Sequence, residues 1–232
     1  MTDISAASIS LAVLDMAGTT IADDGLVEEA FGLAYDAEPA LAGYGSREAV
    51  KQFARATMGQ SKIAVFRELT DADDAAERAN LAFERGYESL VASGGASASA
   101  IPGAEEAIRA LRDEGIAVVL TTGFSPSTQR ALIEALGWHD LVDLALAPVD
   151  AGGRGRPFPD LNLTALIRTR TESVQRMLVA GDTVSDVRSA VRAGAGRAVG
   201  VLSGAHGEAQ LREAGATDVL GSVAELPALL GL

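Results

Sequence analysis

Four short polar clusters in this chain carry side chains suited to divalent cations and anions. They are Asp15-Met16-Ala17-Gly18-Thr19-Thr20, Thr121-Thr122-Gly123, Gly155-Arg156-Pro157-Phe158-Pro159 and Gly181-Asp182-Thr183-Val184-Ser185-Asp186. Carboxylate oxygens are what Mg²⁺ prefers, and such a shell keeps several waters. A guanidinium, a threonine hydroxyl and nearby backbone N–H groups hold phosphoryl oxygens. Each cluster alone has a plainer use: Asp15 or Asp182 as a turn or helix cap, Thr-Thr-Gly as a connecting turn, Arg156 as a solvated side chain. Brought to one rim, Asp15, Asp182 and Asp186 with Thr121 and Arg156 make a cation site beside an anion site.

The surrounding elements make that convergence an expectation. Ile9 to Leu14 is a short, β-branched-rich apolar run ending at Asp15, as buried parallel strands read. Similar runs recur at Ile116 to Thr121, Leu141 to Leu146, Met177 to Ala180 and Ala198 to Leu202. Helical patterns lie between them at Ala104 to Glu114, Pro126 to Leu136, Pro159 to Thr169 and Val184 to Ala193. Strands separated by single helices make βαβ crossovers and a parallel sheet, whose ligands bind at the carboxyl ends of the strands. The stretch from about Leu26 to Ser93 breaks the rhythm: it shows helical patterns, no convincing strand, and breaks at Gly43–Gly45 and Gly59. The small-residue run 93–100 reads as a hinge. The expected architecture is α/β, a Rossmann-like doubly wound parallel sheet with an inserted α-helical cap domain. The core takes residues 1–20 and 101–232, and the cap with its hinge segments takes 21–100.

Composition narrows the function classes. At 232 residues, 48% hydrophobic and 22% charged, the chain has the make-up of a folded protein with one core and a smaller appendage. A net charge of −13 argues against a nucleic-acid partner, and a small anionic substrate needs a locally positive pocket. The absence of cysteine removes thiolate nucleophiles and Cys-ligated zinc. The N-terminal stretch carries no basic, apolar leader pattern, and no apolar run nears the roughly 20 residues of a membrane span, so a cytoplasmic protein is expected.

The order of the four clusters resembles the haloacid dehalogenase superfamily of phosphotransferases. The motifs span the core, and their specificity lies in the combination. The resemblance implies that Asp15 is a nucleophile that attacks phosphorus and binds Mg²⁺, that Asp182 and the Ala17 carbonyl complete the ligands, that Asp186 orients the metal or its waters, and that Thr121 binds the phosphoryl group. Three departures from the common pattern narrow it further. Ala17 stands where a second Asp usually protonates the departing alkoxide; Arg156 replaces the usual lysine and could grip phosphonate oxygens in bidentate fashion; and Met58-Gly59-Gln60-Ser61-Lys62-Ile63 lies in the insertion. All three look like the phosphonatase (phosphonoacetaldehyde hydrolase) family, which implies substrate contacts from Met58, Thr122 and Arg156 and a possible homodimer.

Chemistry links these departures. Cleaving a C–P bond releases a carbanion, for which an acid at position 17 is of no use. A protonated imine formed with a substrate aldehyde supplies the electron sink, and Lys62 is the expected amine. Only two of the 19 basic residues are lysines, Lys51 and Lys62, so a primary amine at this position stands out. To be neutral near pH 7, Lys62 must have its pKa lowered by burial or a nearby cation. Val65 stands where the phosphonatases carry a histidine, Phe124 where they carry a tyrosine, and their cysteine near the first motif is missing. Water, or a carboxylate such as Asp23 or Asp24, could substitute as proton carrier, although solvation in a loop is the plainer reading of that pair.

The expected reaction is Mg²⁺-dependent hydrolysis of phosphonoacetaldehyde or a close 2-oxoethylphosphonate. Two alternatives stay open: a phosphatase acting on small phosphate monoesters, and a non-catalytic domain binding a phosphorylated metabolite. His139 and His206 lack ligand spacing and are read as surface or packing residues. The Gly152–Gly155 stretch is read as shaping the path to Arg156, and the acids from Asp71 to Asp74 as the solvent-facing start of a helix.

Overall fold

The computed structural model describes residues 9–92 and 99–232. Six parallel strands form one sheet in the order β3-β2-β1-β4-β5-β6: β1 (Leu11–Asp15), β2 (Ala117–Thr121), β3 (Leu144–Leu146), β4 (Met177–Gly181), β5 (Arg197–Val201) and β6 (Asp218–Leu220). The β1 and β4 strands are buried along their whole length, as strands covered on both faces must be. Between β1 and β2 the chain forms α1 (Leu26–Ala37), α2 (Arg47–Ala56), α3 (Lys62–Leu69) and α4 (Asp73–Ala92). The other helices are α5 (Ala104–Asp113), α6 (Pro126–Ala135), α7 (Asp160–Thr169), α8 (Val184–Ala193), α9 (Glu208–Glu213) and α10 (Leu226–Leu230). Strand order reverses between β1 and β4, which opens a crevice at their carboxyl ends.

Two apolar clusters flank the sheet. One face, with Leu11, Val13, Val119, Met177 and Val179, packs against Leu161 and Ala165 of α7 and Val187 and Ala190 of α8. The other, with Ala12, Leu14, Val118, Leu120 and Leu178, is continuous with the interior of the helical insertion. There Phe31, Phe66 and Phe83 meet with ring centroids 4.9–6.0 Å apart and tie α1, α3 and α4 together. Acidic Asp73 and Asp74 begin α4, where they complement the helix dipole.

The elements depart from the sequence reading at the sheet's two edges. The run from Leu141 to Leu146 yields only the three-residue β3, because the Asp143 side chain accepts the Val118 N–H at 2.7 Å in place of a strand partner. A sixth strand, β6, pairs with β5 at the opposite edge. It is three residues long, begins with a charge and is only half-buried, so no apolar run marks it. The chain leaves and re-enters the sheet side by side: Ile21 bridges Ala100 antiparallel, Ala22 N–H donates to Ser99 O at 2.9 Å, and Ile101 N–H to Thr20 O at 2.9 Å. Residues 93–98 of the expected hinge lie outside the described residues.

Candidate active site

The carboxyl ends of β1, β2 and β4 open into a cleft of about 770 Å³, roofed by the insertion. Asp15, Ala17, Thr122, Arg156 and Asp182 line it from the sheet side, and Met58, Gly59 and Lys62 from the insertion. Sequence-distant groups thus meet in one cavity. Asp15, Asp182 and Asp186 each offer a carboxylate oxygen within 4.8 Å of the others, and all three are buried.

Local structure fixes each acid. Asp182 follows β4; its Oδ1 accepts from Thr19 Oγ at 2.9 Å and its Oδ2 from Ala205 N–H at 2.8 Å. Asp186 closes a capping box at the start of α8, its Oδ2 accepting from Thr183 N–H at 3.1 Å and from the Thr183 hydroxyl. Arg156 Nη1 donates to Asp15 Oδ1 and to Asp186 Oδ1. Both Asp186 oxygens are therefore occupied, and Asp186 does not line the cleft. Asp186 thus braces Arg156 and the α8 cap as well as offering a carboxylate oxygen to the cluster.

Arg156 sits against the carboxylates, with its Nε–H buried and without a hydrogen-bond partner. Such a buried donor costs free energy until an acceptor satisfies it. The two hydroxyls expected at the end of β2 sit differently. Thr121 is the register partner of Asp15 inside the sheet, whereas the cleft is lined by Thr122, where the chain leaves the sheet.

The charges are unbalanced toward the negative. Burial pushes the Asp15 carboxyl well above the usual carboxylate range, opposed by Arg156 and reinforced by Asp186 and Asp182. Burial, with Asp186 adding to it, raises Asp182 to about 6. Burial disfavours the Arg156 charge, yet Asp15 and Asp186 outweigh it and keep the guanidinium protonated. A divalent cation at this oxygen-only cluster would relieve the same repulsion, so the donor set fits Mg²⁺.

Lys62 begins α3, and its backbone N–H donates to Gly123 O at 3.2 Å. Its side chain is buried, with Nζ 6.0 Å from the centroids of Phe31 and Phe83 and 5.5 Å from that of Phe124. Burial and then the Arg156 charge lower its pKa to about 8. The roof fits closely on the sheet. Gly59 has φ +83, and a Cβ there would lie 2.2 Å from Thr183 Oγ; at Gly123 it would lie 2.4 Å from Gln60 O.

The family model of the haloacid dehalogenase-like hydrolases matches residues 9–194. The chain belongs to this family. This haloacid dehalogenase-like hydrolase is 32% identical over 113 residues to "Probable phosphatase IndB" of Dickeya dadantii, covering 49% of this chain and 48% of the relative. It is 29% identical over 156 residues to the phosphonoacetaldehyde hydrolase of Parabacteroides distasonis, covering 56% of this chain and 58% of the relative. The chain spans about half the length of these curated relatives. In fold it matches the phosphonoacetaldehyde hydrolase-like protein of Oleispira antarctica at a TM-score of 0.81 with 24% identity, covering 100% of this chain and 94% of that one.

Some contacts within the site of this hydrolase carry no sequence signal. Thr19 is visible in its motif, but its bond to Asp182 spans 163 positions. His206 lines the cleft, and its Nδ1 accepts the Val184 N–H at 2.9 Å, so its packing role includes a place in the wall. His139 is exposed. Val65 is buried in the insertion's interior and does not reach the cleft. Gly155 packs against Ser61, where a Cβ would lie 3.0 Å from the Ser61 Cβ, consistent with a segment that shapes the approach to Arg156.

Proposed function

We propose that this hydrolase cleaves the C–P bond of phosphonoacetaldehyde or a close 2-oxoethylphosphonate, with the insertion (residues 21–100) acting as a cap domain over the core. The observation that carries this reading is the buried Lys62 amine in the same cleft as Asp15, with Ala17 at the position of the usual acid. Lys62 condenses with the substrate aldehyde, and the protonated imine withdraws electrons from the C–P bond. Asp15 attacks phosphorus in line, and the carbon leaves as an enamine. Water then hydrolyses the aspartyl-phosphate, and hydrolysis of the imine frees the aldehyde product. Arg156 holds Asp15 in place, and Arg156 and the Thr122 hydroxyl bind the phosphonate oxygens. Asp15, the Ala17 carbonyl and Asp182 would hold Mg²⁺, which when bound neutralises charge on the phosphoryl oxygens. The closed roof excludes bulk water from the imine. A cytoplasmic homodimer is part of the same reading.

A second reading, a phosphomonoester phosphatase, is favoured by the buried Val65, which leaves the cleft without the family's histidine. It is weakened by Ala17, whose methyl group cannot protonate a departing alkoxide. The non-catalytic reading is not carried forward, because the chain belongs to a hydrolase family. One experiment separates the two that remain. With phosphonoacetaldehyde and borohydride, the wild type is expected to gain one reduced two-carbon adduct on Lys62 and to release phosphate without borohydride. Phosphate release from sugar phosphates alone, with no adduct, would overturn the C–P reading.

A further inference from the structure

Imine formation needs a group that moves protons at the amine, and Val65 is buried away from the cleft. We propose that Asp23 is that group, the acid–base residue for imine formation on Lys62; this rests on the C–P reading above. Asp23 lies where the chain crosses from the sheet to α1, and it lines the same cleft as Lys62. Its Oδ1 accepts the Val27 N–H at 3.2 Å, which fixes the carboxylate at the first turn of α1. A carboxylate has about four acceptor positions, so backbone bonds leave room for a transferring proton. Asp24, the other carboxylate of this segment, is exposed.

The charged and titratable groups around Asp23 come from every neighbouring element. Lys62 of α3 favours its charge, Asp24 of its own segment opposes it, and Tyr87 of α4 lies within reach of its field. Glu28 and Arg55, paired at 2.6 Å, line the same cleft, as do Asp15 and Arg156. Burial raises the Asp23 carboxyl while Lys62 is lowered, so the two affinities approach each other, which reduces the cost of passing a proton between them.

The step balances. The Asp23 carboxylate takes one proton from the Lys62 ammonium. The neutral amine attacks the aldehyde carbon, the C–N bond forms, and the carbonyl electron pair moves to oxygen, which takes a second proton from nitrogen. Asp23 then returns its proton to the carbinolamine hydroxyl. The C–O bond breaks, water leaves, and the protonated imine remains with Asp23 again a carboxylate.

The test compares imine trapping by borohydride in wild type, Asp23→Asn and Asp23→Glu with phosphonoacetaldehyde, followed by intact mass. Asparagine keeps an oxygen for the Val27 N–H, so the thermal midpoint is expected to stay at the wild-type value. The initial trapping rate is expected to fall at least about 100-fold in Asp23→Asn and to recover in part in Asp23→Glu or with added formate. Trapping by Asp23→Asn at the wild-type rate overturns the assignment, as does a loss that neither the glutamate variant nor formate restores. Wild-type protein that forms no adduct, yet hydrolyses phosphate esters, overturns the C–P reading beneath it.

Discussion

A buried amine burdens the fold for as long as it is charged. Lys62 has its pKa lowered from 10.5 to about 8, by burial first and Arg156 second. Below about pH 8 it is charged in both the folded and unfolded chain, and the folded state carries the full penalty. Between about 8 and 10.5 the unfolded chain keeps the proton and the folded one does not, so stability rises with pH across that window. The shift corresponds to a penalty on the order of 3 kcal/mol at pH 7. Lys62→Met is therefore expected to raise the pH 7 thermal midpoint by several degrees while abolishing adduct formation. Melting curves at pH 7 and pH 10.5 check this, since the gain must vanish at the higher pH. Asp15, Asp182, Arg156 and Lys62 could be read from the sequence, because a polar residue after an apolar run, or a rare lysine, shows in the chain itself. Phe31 and Phe83 could not be assigned around Lys62, and Asp23 could not be told from Asp24, because that neighbourhood exists only once α1, α3 and α4 pack together. Both Thr121 and Thr122 could be named from the sequence, but only the strand register shows that Thr121 pairs with Asp15 in the sheet while Thr122 lines the cleft.

At the scale of elements, the joint between the insertion and the sheet seats α3 over the cleft. Gly59 meets Thr183 there, and its φ of +83 and lack of a Cβ both matter. Gly59→Ala is expected to cost about 1–3 kcal/mol and to lower kcat/KM at least about 10-fold, as the roof no longer seats. Calorimetry and steady-state phosphate release check the two parts. An unchanged kcat/KM would show that the contact has no bearing on closure. Four strands and four core helices were legible because apolar runs and the residues that bound helices are local properties. The sheet's edges were not. Asp143 diverts a hydrogen bond from a run that otherwise reads as a strand, and β6 is held by β5 rather than by its own apolar residues. The helical insertion could be recognised from its lack of strands, but its seat on the sheet depends on contacts such as Lys62 N–H to Gly123 O.

For the whole molecule, the three clustered carboxylates add local repulsion to a chain already at −13. A cation that binds the folded state alone stabilises it by mass action, about 2.7 kcal/mol at 100 times its Kd. Mg²⁺ is expected to raise the thermal midpoint at pH 7.5. The rise should shrink toward pH 5, as Asp182, raised to about 6, takes up a proton that competes with the metal. Differential scanning fluorimetry with and without EDTA measures both, and a shift independent of pH would place the cation elsewhere. No helix among the described residues is long and apolar enough to cross a membrane. The crossing at Ile21 and Ala100 has a consequence of another kind. Since both ends of the excursion lie hydrogen-bonded to each other, a foreign helical module with adjacent termini could be grafted there without rerouting any strand. Such an exchange would leave the six-stranded sheet, and the carboxylates at its rim, as they are.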